Sequence, residues 1–352
     1  MRLGRPTLAF EIRCRAGDAK EGRIVEFRPI PRVPEAFQQP VTADEIEAIC
    51  CRTFGARTKV IAATELGTGM YNTTLRVAVV GQEKPVIVRI APEPARQFTS
   101  ERALMRNEYA SLPWLAPIAL LMPKVIGADW SHEVIGRDYM VQSLLDGVPA
   151  AEHLHTYPRS TWPTFYRQLG EIAHRVHTVR GPGFGPVTGP TYGTWSEALA
   201  ASLDAIATDL DGVGLDSDDV RKVVSAALRH REVLDEITAP RLLVGDLWLP
   251  NILLDYDAPE PTISGVYDLD RATWGDPLAD WTIRMITAKS GERQAFWDTY
   301  GSVKQSEGAV WRQKIYEARH LGAVRLERHR LGNHAGVRAS YDAMQTILAD
   351  VG

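Results

Sequence analysis

Strand-like runs come first along the chain and helical spacing follows. Residues 59–66, 73–80 and 86–90 are three β-rich runs separated by turn residues, a pattern that predicts an antiparallel sheet. Ahead of them, Thr42 with Glu45 three residues later predicts the N-terminus of a helix through Ile46, Ile49 and Cys50. Residues 100–112 read as a further helix, and 138–145 as a strand that gives way to a bend at Asp146 and Gly147. From 162 to 179 the period changes: Phe165, Leu169, Ile172, Val176 and Val179 recur at three and four, which predicts an amphipathic core helix. Short apolar strands are expected around 242–244, 252–254 and 263–267, and more helix near the end, including 309–330. Residues 1–40, with Pro29, Pro31, Pro34 and Pro40, show no sustained period. They read as an extension with at most one strand, near 8–12.

Composition narrows the class. With 352 residues, 45% hydrophobic and 24% charged, the chain has room for two lobes and a sizeable core. A formal charge of -4 without a clustered basic face argues against nucleic acid as the main partner. Cys14, Cys50 and Cys51 are odd in number and lack metal-like spacing, so neither a disulfide framework nor a zinc site is expected. With no apolar run of membrane-spanning length, the expectation is a soluble protein of a reducing cytoplasm. His174 and His177 lie three apart without a third ligand at suitable spacing, so packed or surface histidines are expected there. Residues 194–219 hold Glu197, Asp204, Asp209, Asp211, Asp216, Asp218 and Asp219 and no Lys or Arg. A cleft lined this way would attract a polycation; the plainer reading is a solvated helix face and loop.

The chemistry concentrates in 241–281, RLLVGDLWLPNILLDYDAPEPTISGVYDLDRATWGDPLADW. Asp246 follows an apolar run and a Gly, where a buried strand should open into a loop, and Asn251 lies five positions on. The turn-rich DYDAPEP then reverses the chain into a second strand that ends at Asp268. Such a loop and hairpin can bring Asp246, Asn251 and Asp268 to one rim. Oxygen ligands suit Mg²⁺, which takes one or two carboxylates and fills its remaining positions with water and substrate phosphates. A further carboxylate beside it can orient a substrate hydroxyl. Earlier, the segment GTGMYN, with Gly67, Gly69 and Asn72, joins two strands where backbone N–H groups can approach phosphates, although a two-Gly turn is commonly just a hairpin.

GDLWLPNILL followed by VYDLDRATWGDPLADW resembles the aminoglycoside phosphotransferase family, the small-molecule branch of the protein-kinase-like fold. The resemblance implies an α+β, two-lobed fold: an antiparallel-sheet N-lobe over 41–142 that binds nucleotide, and a mainly helical catalytic C-lobe over 143–352. It implies Asp246 as catalytic base, Asn251 and Asp268 as Mg²⁺ ligands, and ATP or GTP as co-substrate. Arg89 stands where kinases carry a phosphate-gripping Lys, with Glu108 as its chosen partner and Glu101 as rival. Ser143 and Leu145 fall at the hinge whose backbone pairs with the nucleobase. Asp280 corresponds to the Asp that braces the catalytic loop. The pattern departs at Val244, where the family usually has His. No long segment separates Asp268 from the next helix, which disfavours a protein substrate. The implied activity is Mg-dependent phosphorylation of a small-molecule hydroxyl, an aminoglycoside or related antibiotic first. A sugar, choline-like alcohol or amino acid as acceptor is the alternative. Val244 and Arg89 together motivate another reading, a nucleotide-binding scaffold without turnover.

Overall fold

The computed structural model describes residues 26–67, 69–289, 293–303 and 305–351; the strand expected near 8–12 and Cys14 lie outside them. The chain divides into two compact units, one running to Glu93 and including Lys124–Leu144, the other made of Pro94–Pro123 and Leu145–Gly352.

The first unit holds β1 (Glu26–Arg28), α1 (Ala43–Phe54), β2 (Val60–Leu66), β3 (Thr73–Val79), β4 (Val86–Ile90), β5 (Val125–Asp129) and β6 (Tyr139–Ser143). They form a sheet in the order β1-β2-β3-β4-β6-β5, antiparallel except at its edge, where β1 pairs parallel to β2. Alternation works as the strands require: Leu75, Val77 and Val79 of β3 face the core with Ile46, Ile49 and Cys50 of α1. Thr42 caps α1 in a full capping box with Glu45, as the sequence predicts. Residues 26–40 are built into this unit rather than standing apart from it. Ile30 N–H donates to Glu65 at 2.7 Å, and Arg32 pairs with the same carboxylate. A three-residue parallel strand is too short to leave a period in the sequence, which is why the reading over 1–40 misses it.

The second unit opens with α2 (Leu104–Ser111) and continues through β7 (Val148–Pro149), α3 (Ala150–His153), α4 (Trp162–His177), β8 (Gly185–Pro186), α5 (Trp195–Gly212), α6 (Asp218–Arg229) and α7 (Arg231–Leu234). Then come β9 (Arg241–Leu243), β10 (Ile252–Leu254), β11 (Ile263–Val266), β12 (Thr273–Gly275), α8 (Trp281–Thr287), α9 (Gln294–Tyr300), α10 (Glu307–Arg330) and α11 (His334–Val351). Phe165, Leu169, Ile172 and Val176 of α4 are buried in one large core with residues of α5, α6 and α10. Two small sheets, β11-β10-β7 and β8-β12-β9, carry the loops between them. The segment around α2 belongs to this unit, whereas the resemblance assigns it to the N-lobe. Asn107 Nδ2 donates to the carbonyls of Asp270 and Ala272, each at 2.8 Å, and ties it there. Among the described residues no helix is long and apolar enough to cross a membrane.

The acidic run at 194–219 is largely used up inside this unit. Glu197 completes a capping box on α5, and Asp209 accepts from the backbone of Thr99 (2.7 Å) and Ser100 (2.8 Å). Asp211 takes Ser217 and Arg221, while Asp219 grips the fully buried Arg325 with both oxygens, at 2.9 and 2.6 Å. These carboxylates cap helix starts and pair with cations, which is the structural form of the plainer reading.

Candidate active site

The loop after β9 is shaped by its backbone before any side chain acts. Gly245 has φ +78°, and a Cβ there would lie 2.5 Å from the Arg271 carbonyl, so only glycine fits. Asp280, buried at the start of α8, holds the loop from below. Its Oδ2 accepts the N–H groups of Val244 (2.8 Å) and Gly245 (3.4 Å), and its Oδ1 accepts from Thr282 N (3.1 Å). Burial would raise the Asp280 pKa, but His177, its charge when protonated, and the backbone donors of Thr282 and Val244 outweigh that and hold it below the usual value. His177 of α4 reaches Asp280 through Nε2 at 3.1 Å and faces the Tyr300 hydroxyl through Nδ1 at 2.8 Å. Thr282 Oγ1 donates to Leu247 O at 2.7 Å, a second tie beneath the loop. The loop is therefore anchored with Val at 244, because a backbone N–H and a distant histidine do the bracing. Sequence spacing offered no sign of that second role for His177.

Asp246 and Asn251 meet directly. Asn251 Nδ2 donates to Asp246 O at 2.9 Å and to its carboxylate Oδ2 at 3.2 Å. With the amide nitrogen committed there, Oδ1 is the Asn251 atom able to bind a cation. Tyr267 N–H donates to Asn251 O at 3.1 Å, which ties the end of β11 to the loop, and Asp268 follows at φ +60°. A non-glycine residue in that region is uncommon and carries strain of about 1 kcal/mol or more. Burial is the main force on Asp246 and pushes its pKa up to about 6; Arg271 pulls it down, Asp268 pushes it up, and the Asn251 hydrogen bond opposes. The effect of Asp268 on Asp246 means that the two carboxylates lie within electrostatic reach of each other. The three side chains are thus brought into one neighbourhood within the second unit. One carboxylate and one amide oxygen, with phosphates and water to complete the shell, fit the needs of Mg²⁺. No group of three or more His, Cys, Asp or Glu arranged to hold a metal ion occurs among the described residues, and Mg²⁺ does not require one. The indole N–H of Trp248, two residues past Asp246, is a buried donor without a hydrogen-bond partner among the described residues.

In the first unit, Gly67 and Gly69 are exposed on the turn between β2 and β3, and Asn72 is buried with its Oδ1 unpartnered among the described residues. Gln38 holds this turn by donating to Gly69 O (3.0 Å) and Asn72 O (2.8 Å). Nothing in the sequence singles that residue out, since it falls in a segment without a sustained period. Arg89 is buried on β4, not solvated, at 6% exposure. Ser143 ends β6 with its N–H donated to Lys124 O at 2.8 Å, so that donor is already taken within the unit. In the second unit, Glu108 is buried on α2, while Glu101 precedes that helix and pairs with Arg330 at 2.6 Å and Arg271 at 3.5 Å. Leu145 is half-buried and packs beside Gly265.

Comparison with solved structures places this arrangement in a known fold. A thermostable mutant of aminoglycoside phosphotransferase APH(4)-Ia in its apo form matches at TM-score 0.60 and 18% identity, over 86% of this chain and 98% of that one. The same protein in a ternary complex with ADP and hygromycin B matches at 0.59 and 19%, over 87% and 98%. The GDP and kanamycin complex of APH(2")-IIia matches at 0.60 and 14%, over 87% and 98%. No curated protein sequence matches the chain. The likeness to the solved structures establishes the α+β, two-lobed protein-kinase-like fold, with a sheet-bearing first lobe and a helical second one. The family model described as phosphotransferase enzyme family, APH, matches residues 62–312, from β2 through the loop after β9 into α10, and the chain belongs to that family.

Proposed function

We propose that this protein transfers the γ-phosphoryl group of ATP or GTP to a hydroxyl of a small molecule. The observation that carries the reading is the Asp246–Asn251 hydrogen bond, with Asp268 in electrostatic reach, on a loop fixed from below by Asp280. In the transfer, the acceptor oxygen forms a bond to the γ-phosphorus, the β–γ bridging bond breaks, and the nucleoside diphosphate leaves. Asp246 orients the acceptor hydroxyl and takes its proton late in the step. A pKa of about 6 leaves it ionised at neutral pH and still basic enough for the task. Asn251 Oδ1 and the Asp268 carboxylate are the groups that would hold Mg²⁺, which supplies charge neutralisation on the β- and γ-phosphates when bound. Gly67, Gly69 and Asn72 would cover the phosphates, and Arg89 would grip them. The backbone from Ser143 to Leu145 would meet the base. Positioning and electrostatics supply most of the acceleration in such chemistry.

An aminoglycoside acceptor finds support in neighbours that carry hygromycin B and kanamycin. The acidic run adds nothing to it, since most of its carboxylates already serve caps and ion pairs. The scaffold alternative loses one of its two motives, because the loop at Val244 is anchored without a histidine in that position.

The test is a coupled ADP-release assay on purified protein with Asp246→Asn alongside. The variant should lose about a thousandfold in turnover while nucleotide affinity by calorimetry stays within about twofold. Normal turnover by Asp246→Asn would remove Asp246 from the role.

A further inference from the structure

A second charged feature lies along α10 of the second unit, and the phosphotransfer reading does not use it. Tyr316, Arg319, Ala323, Glu327 and Arg330 recur at three and four along α10 and so share one stripe of that helix. Both ends of the stripe are pinned around the candidate site. Tyr316 donates to Asp276 at 2.8 Å, just after the catalytic hairpin, and Arg330 pairs with Glu101, which also faces Arg271. In the middle, Glu327 is close enough to act on Asp246. Arg319 is part of this stripe. Its Nε donates to Ser202 Oγ of α5 at 2.7 Å, and its terminal nitrogens have no hydrogen-bond or carboxylate partner among the described residues.

The surroundings of Arg319 are cationic. Arg284 lies over the Trp281 ring at 5.2 Å, and that ring stacks on His320 at 4.5 Å. Crowding by protein, then Arg271 and Arg284, pull the Arg319 pKa down to about 10; burial, then Arg284 and Arg319, pull His320 to about 3. In each case loss of solvent is the larger cause and the neighbouring cations add to it. Arg271 is balanced by Asp270, Glu101, Asp246 and Asp268, Arg284 pairs with Glu317 and Arg328 donates to Gly336 O, whereas the terminal nitrogens of Arg319 have none of these partners among the described residues. Arg271 links the two: its carbonyl packs against Gly245, next to Asp246, and its guanidinium faces Glu101, which holds Arg330 on the same stripe of α10 as Arg319.

We propose that the acceptor carries an anionic group, a carboxylate or a phosphate, which Arg319 receives with Arg284 beside it while the acceptor hydroxyl meets Asp246. A guanidinium fork held at Nε by Ser202 presents its terminal N–H groups in the geometry that binds two oxygens of such an anion. This rests on the phosphotransfer reading and adds the class of acceptor. It departs both from the cationic acceptor that the acidic run suggests in the sequence and from the aminoglycoside acceptor to which the neighbours' ligands point.

The experiment is calorimetric titration of the full-length protein, saturated with MgADP, with matched probes. Glycerate and gluconate carry a carboxylate, glycerol 3-phosphate and glucose 6-phosphate a phosphate, glycerol and glucose no charge, and kanamycin positive charge. At least one anionic probe should bind about tenfold tighter than its uncharged parent and lose about tenfold in Arg319→Gln. Arg319→Lys should recover part of that loss, and an unchanged melting temperature confirms the fold of both variants. Which anionic arm responds tells carboxylate from phosphate. The proposal is overturned if no anion binds, if the uncharged probes or kanamycin bind as tightly as the anions, or if Arg319→Gln leaves anion affinity unchanged. ADP release with kanamycin, dependent on Asp246, would leave phosphotransfer standing while this inference falls. Anion binding without ADP release from any probe would strike at phosphotransfer instead.

Discussion

Asp246 holds a proton more readily than an ordinary aspartate, and the consequences run in two directions. For activity, kcat/KM reports the free enzyme. With a pKa of about 6 it should fall roughly tenfold per pH unit below pH 6 and level off above pH 7, which a profile with any accepted substrate will check. For stability the sign reverses. A carboxyl whose folded pKa lies above its ordinary 3.8 contributes stability that is fully present below about pH 4 and lost as pH rises through 6. Asp246→Asn should therefore raise the melting temperature by a few degrees at pH 8, and by less at pH 5 where the native side chain is already mostly neutral. Equal melting temperatures at pH 8 would count against the buried, like-charged environment. Part of this site was legible in the sequence: Asp246, Asn251 and Asp268 stand out through spacing and turn chemistry. The Asp280–His177–Tyr300 chain was not, because His177 lies 103 positions from Asp280 and 123 from Tyr300.

Among elements, the contacts that fix helices to loops behave in the opposite sense to Asp246. Asp280 has a depressed folded pKa, so its contribution is present above about pH 4 and disappears as acid carries the pH down through the folded value. His177→Ala should weaken that brace, and the variant should unfold at higher pH than the parent during acid titration followed by circular dichroism. The buried Asp219–Arg325 pair ties α6 to α10, and Ser340 and Tyr341 extend it to α11. Asp219→Ala leaves a charge buried without its partner and should cost about 3 to 5 kcal/mol in urea unfolding; a loss below about 1 kcal/mol would contradict the burial. Elements with a local cause were readable in advance: the Thr42 and Glu45 box that starts α1, and the three-and-four spacing of α4. The acidic run was not. Asp209 finds its donors 110 and 109 positions away and Asp219 finds Arg325 at 106, and no periodicity encodes a partner at such range.

For the whole molecule, nucleotide with Mg²⁺ should stabilise by mass action. At a nucleotide concentration of about a hundred times its Kd, the gain is about 2.7 kcal/mol, visible as a rise in melting temperature that EDTA reverses. A rise that EDTA leaves intact would remove the metal from the reading. The order of elements and the two-lobed fold were legible because a sheet-forming region precedes a helical one. The edge of the sheet was not. β1 protects the outer side of β2, and Ile30, Arg32 and Gln38 lock the segment down behind it. A shortened version of the protein that begins at Thr42 would strip this cover away and leave β2 with a row of unsatisfied backbone groups beside Ile61, which already reaches solvent. Such a fragment should self-associate in light scattering and handle nucleotide poorly, since the turn carrying Gly69 and Asn72 would lose its support along with the strand.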